Sequence, residues 1–126
     1  MFKIPAGETR RVLAALRAQI EAPPLVCDAV EIAVAEALNN INEHGGALAH
    51  LNGRAGPLRI DITIVDHGPP LPQAALSPAA PPPAHLPTTL PEGGFGWPLI
   101  HALTSEVAYQ RIGDENRLRL GFAWRA

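Results

Sequence analysis

The sequence predicts an α/β fold: a two-layer sandwich whose mixed, mostly antiparallel sheet carries about three helices on one face. Three observations point there. From Leu58 to Val65, Leu58, Ile60, Ile62 and Ile64 alternate with Arg59, Asp61 and Thr63, the period of a strand with one buried face. From Cys27 to His44, residues Val30, Ala33, Val34, Ala37, Leu38 and Ile41 recur at helical spacing and form an apolar stripe. Glu106 to Ile112 and Arg117 to Trp124 read as an antiparallel hairpin around Gly113-Asp114-Glu115-Asn116. Strands joined by short turns, with helices set between groups of them, give a sheet covered on one side.

The chain opens on Phe2-Lys3-Ile4, a short alternating run that suits an edge strand ended by Pro5. A helix is expected over Gly7 to Glu21, with Leu13, Leu16 and Ile20 inward and Arg10, Arg11 and Arg17 outward; Pro23-Pro24 stops it. The Cys27–His44 helix follows and ends at Gly45-Gly46. Ala47 to Leu51 is expected as a short strand and Asn52-Gly53-Arg54-Ala55-Gly56 as a turn before the Leu58–Val65 strand. Proline is then frequent from Pro69 to Pro91, which reads as a long loop or lid within the domain. Pro98 suits the first turn of a short helix, Leu99 to Thr104. In the closing hairpin Leu118, Leu120, Phe122 and Trp124 share one face and Arg117 and Arg119 the other.

The totals narrow the class. A length of 126 residues fits one domain, 1–126, with a single core. One cysteine, Cys27, excludes an internal disulfide and is expected as a buried thiol; it fits a reducing compartment. A net charge of -2 argues against nucleic acid as the main partner. Neither a signal peptide nor a membrane-length apolar run is present, so a soluble, cytoplasmic protein with no membrane partner is expected by elimination. His44, His50, His67, His85 and His101 do not make metal-ligand spacing, and His44 is expected to be structural.

Three segments carry residues suited to chemistry. The first is Glu36-x-x-x-Asn40 on the central helix, where Glu36, Asn39, Asn40 and Glu43 form a polar side opposite the stripe. A carboxylate beside carboxamides can activate a hydroxyl and hold a hard cation through oxygen, or it can simply be a solvated face. The second is Asp66-x-Gly68 directly after the strand. There an aspartate either caps a turn or accepts a hydrogen bond from a ligand amino group. The third is Gly93-Gly94-Phe95-Gly96 before the last helix, a tight connection or a cradle for an anion.

Taken in order, E-A-L-N-N-I-N-E-H, V-D-H-G-P-P and G-G-F-G-W-P-L-I resemble the N box and the two glycine boxes of the GHKL ATPase superfamily, with its Bergerat, histidine-kinase-like ATPase fold. Within it the chain looks most like the stand-alone bacterial anti-sigma-factor serine/threonine kinases, and R-I-G-D-E-N-R-L-R-L resembles their closing hairpin. The resemblance implies ATP or ADP with Mg2+ as cofactors. It implies Glu36 as general base or orienting group, Asn40 as the magnesium ligand with Asn39 beside it at the nucleotide, and Asp66 as acceptor from the adenine amino group. Gly68 would lie close to the base. Gly93, Gly94, Phe95 and Gly96 would meet the phosphates, with Trp97 near the nucleotide, and 69–91 would be the ATP lid. The implied reaction is phosphoryl transfer to a serine or threonine of an anti-anti-sigma protein, the other partner being a sigma factor; homodimers are usual in the family. The alternative is a nucleotide-sensing, protein-binding switch without transfer; a purely structural interaction domain is the third reading. Two departures bear on the choice. Pro70 stands where the first glycine box often has a second glycine, and no Lys or Arg occurs from Asp66 through Trp97 to meet a γ-phosphate.

Overall fold

The structure is a computed structural model describing residues 1–76 and 96–125. Gly93, Gly94 and Phe95, and the 77–91 part of the expected lid, lie outside the described residues. The elements run β1 (Phe2–Pro5), α1 (Thr9–Gln19), α2 (Pro24–Glu43), β2 (Leu48–Gly56), β3 (Arg59–Asp66), a 3-10 turn (Gln73–Leu76), α3 (Gly96–Leu103), β4 (Glu106–Ile112) and β5 (Glu115–Ala123). The strands form one sheet in the order β1-β2-β3-β5-β4. Every neighbouring pair is antiparallel, so the expected mixed sheet is in fact wholly antiparallel among the described residues.

The core lies between the sheet and α2. Val30, Ala33, Val34 and Ala37 on α2 are buried in one cluster with Ile60, Ile62 and Ile64 of β3, Leu118, Leu120 and Phe122 of β5, and Ile100 of α3. These positions have the periods expected, 3.6 on the helix and 2 on the strands. Val12 joins Leu16 as the buried pair of α1, while Leu13 is only partly buried. Cys27 is a buried free thiol, and Trp124 packs against the core edge. The other sheet face is polar: Arg59 and Arg119 both reach Asp61 and Glu106.

The first helix ends at Gln19, ahead of Pro23-Pro24, and the two prolines instead start α2. Pro24 sits in the first turn, and the Pro23 carbonyl accepts from the N–H groups of Val26 and Cys27. The other end closes in a Schellman arrangement: Gly45 adopts φ +76, and the Gly46 N–H donates to Ile41 O at 2.9 Å.

Two turn expectations are corrected. Asn52 to Gly56 is strand, not turn; the reversal lies at Pro57-Leu58, with Gly56 opposite Arg59. Gly53 is tolerated in mid-strand because the Phe2 ring, directly across the β1–β2 pair, covers it where a side chain would stand. At the C-terminal hairpin the turn is only Gly113-Asp114, with Gly113 at φ +60. Glu115 and Asn116 already belong to β5, which sets Asn116 opposite Asp66 on β3.

Candidate functional site

A cavity of about 250 Å³ lies between α2, the segment after β3, and the start of α3. Its walls are largely apolar, from Ala37 and Ile41 on α2, Pro69 to Pro72, Trp97 and Leu118. A few polar groups converge on it: Asn40, His44, Asp66 and Asn116. Such a combination, apolar walls with sparse oriented polar groups, is characteristic of small-ligand sites. Among the described residues, no Lys or Arg lines it.

Asp66 ends β3 and is buried, 5% exposed. Its Oδ1 accepts from the Gly68 N–H at 2.8 Å and from Asn116 Nδ2 at 3.0 Å. The turn role of an aspartate after a strand therefore occupies Oδ1, and no hydrogen bond to Oδ2 is formed among the described residues. Gly68 lies backbone to backbone against Gly46: a Cβ on Gly68 would stand 2.8 Å from the Gly46 Cα. The Schellman end of α2 therefore presents its second glycine to the site, and both glycines line the cavity.

On α2, Asn40 is buried and lines the cavity; its Nδ2 donates to the Glu36 carbonyl at 3.1 Å. That leaves Oδ1 without a side-chain or backbone donor among the described residues, a carbonyl oxygen suited to a hard cation. One protein oxygen is a normal share for Mg2+, which keeps waters and phosphate oxygens as its other ligands. Gly96, the first residue of α3, sits over this pair. A Cβ there would be 2.9 Å from Asn40 Nδ2 and 3.4 Å from Glu36 Oε2. The structure thus brings Glu36, Asn40 and Gly96 together, and of these three only Asn40 lines the cavity; Asp66, Gly68 and Trp97 of α3 line it as well. Among the described residues no group of three His, Cys, Asp or Glu side chains could hold a metal by itself.

Asn39 does not join this group. It is exposed and does not line the cavity. One helical step rotates a side chain by about 100°, which turns Asn39 toward solvent while Asn40 lines the cavity.

The family model described as Histidine kinase-like ATPase domain matches residues 5–122. The chain belongs to this family. It is thereby a member of the GHKL superfamily. Comparison with curated proteins found no match. Within this histidine kinase-like ATPase domain the cavity is bounded by α2, the segment after β3 and the start of α3.

Several lining or supporting residues were not expected. Gly46 looked like no more than a helix stop. Asn116, 2% exposed, was assigned to a turn. Behind it, Tyr109 and Arg111 of β4 both donate to Asn116 Oδ1. The alternation of β5 places Asn116 inward with Leu118 and Leu120, a polar residue in an apolar register that the turn-like run Gly113-Asp114-Glu115-Asn116 masks in the sequence.

Proposed function

We propose that this ATPase domain binds an adenine nucleotide, ATP or ADP with Mg2+, and uses it to regulate a protein partner. The observation that carries the reading is Asp66: a buried carboxylate in an apolar cavity, with one oxygen used internally and the other left to accept from an amino group. Glycines at 46 and 68 keep the backbone low around it. The base would lie against Pro69–Pro72 and Ile41, and the phosphates would extend toward Asn40 and Gly96. Asn40 Oδ1 would hold the magnesium, whose contribution when bound is to neutralise charge between the phosphates.

The finer reading follows the anti-sigma resemblance. Glu36, beside Gly96, would accept the proton of a serine or threonine hydroxyl on an anti-anti-sigma protein as the γ-phosphoryl group is transferred, and a sigma factor would be the protein held and released. One observation favours the alternative of a nucleotide-sensing switch without transfer: no Lys or Arg lines the cavity among the described residues, and transfer depends on charge stabilisation more than binding does. The two readings share the nucleotide and differ in turnover.

Calorimetry with ADP and with ATP plus magnesium tests the shared part. Asp66→Ala is expected to lower affinity about tenfold to a hundredfold, the range for losing a hydrogen bond to a charged group. Unchanged binding in that variant, or no binding by the wild type, overturns the proposal. Radiolabelled ATP with candidate partners separates the readings: transfer that disappears in Glu36→Ala supports the kinase, and nucleotide-dependent partner affinity without transfer supports the switch.

A further inference from the structure

The segment after β3 has an unusual backbone. Pro69, Pro70 and Pro72 have no N–H, so Leu71 supplies the single backbone donor of 69–72. That donor is already used: the Leu71 N–H donates to Tyr109 Oη at 3.1 Å. The carbonyls of Gly68 and Pro69 turn the same way. Gly68 O accepts from Arg111 Nη1 at 2.7 Å and Asn116 Nδ2 at 3.2 Å, and Pro69 O accepts from Asn116 Nδ2 at 2.8 Å. The polar edge of this wall therefore faces the β4–β5 hairpin, and its apolar edge faces the cavity.

Asn116 is the centre of that arrangement. Its Oδ1 meets only donors, the Tyr109 hydroxyl and Arg111 Nη1. Its Nδ2 meets only acceptors: Asp66 Oδ1, Gly68 O and Pro69 O. The amide can stand in one orientation alone, because the flipped form would set oxygen against three acceptors. We infer that Asn116 is a positioning residue for ligand discrimination: fixed by Tyr109 and Arg111, it holds Asp66 Oδ1 and so leaves Oδ2 as the acceptor that selects a base with an amino group and rejects one with a carbonyl. With no free N–H on the 69–72 wall, discrimination there falls on this carboxylate rather than on backbone donors.

The inference rests on the adenine-nucleotide reading, and the test separates the two. ADP and IDP, which differ by amino against carbonyl at the same ring position, are titrated calorimetrically into the full chain, and each variant's melting temperature is measured. Wild type is expected to prefer ADP. Asn116→Ala is expected to reduce the ADP-to-IDP preference about tenfold, and Tyr109→Phe, which loses only the hydroxyl, about threefold in the same direction. A purely structural role would lower the melting temperature and leave the preference of the folded fraction unchanged. Folded Asn116→Ala with the wild-type preference overturns the inference; if that variant does not fold, an unchanged preference in Tyr109→Phe overturns it. Wild type that binds ADP without preference over IDP also overturns it while sparing nucleotide binding. Wild type that binds neither removes the adenine reading and this inference with it.

Discussion

Asp66 shows how one side chain answers two readings of the same motif. An aspartate after a strand is commonly a turn residue, and here Oδ1 does accept from the N–H two residues on. The remaining oxygen is what makes the residue a ligand candidate. Gly96 is the comparable case on the other side of the site. No glycine-specific φ is involved; the constraint is space, since a Cβ would press on Asn40 Nδ2 at 2.9 Å. Gly96→Ala should therefore displace the carboxamide while leaving the base end untouched. Magnesium-dependent ATP affinity is expected to fall about tenfold, with adenosine affinity unchanged. Parallel titrations with the two ligands check this, and equal losses for both would contradict it. Motif order singles out Asn40 and Asp66, and both line the cavity. Asn39 was not separable from Asn40 by spacing alone, since residues three and four beyond Glu36 both fall near its side of the helix.

At the scale of elements, the legible parts were those with strong periodicity. The stripe of α2 and the alternation of β3 correspond closely to their buried faces. What misled was glycine. Asn52-Gly53-Arg54-Ala55-Gly56 carries every local turn signal, yet pairing with β1 on one side and β3 on the other keeps it extended. Tertiary pairing overrides local preference here. The Phe2 ring lies where a Gly53 side chain would go, so Gly53→Ala forces the ring aside. The expected cost is about 1–2 kcal/mol, the usual penalty for overfilling a packed site. The cost should be smaller when Phe2→Ala is already present. A double-mutant cycle in urea unfolding measures the coupling; strictly additive effects would show that the ring and the glycine do not depend on each other.

Across the whole molecule, the helices lie over the apolar sheet face and the other face is charged. Val65 points to that polar face but is only 2% exposed. By register His50 on β2 and Arg117 on β5 flank it. His50 has its pKa lowered from the ordinary 6.5, first by partial burial and then by the positive charges of Lys3, Arg117 and His67, with Glu115 opposing. The unfolded chain therefore binds the extra proton first as pH falls. Stability should decline as pH drops through 6.5 and level off once the folded state also takes the proton. In His50→Gln that component should be missing. Urea unfolding of both proteins from pH 8 to pH 5 checks it, and parallel profiles would refute it. No helix among the described residues is long and apolar enough to cross a membrane. The two tryptophans divide the molecule in a useful way. Trp97 lines the cavity, while Trp124 packs at the core edge. The domain thus contains a built-in optical reporter on the ligand side, and a second emitter tied to the fold, so occupancy and unfolding have separate spectroscopic handles without any dye attached.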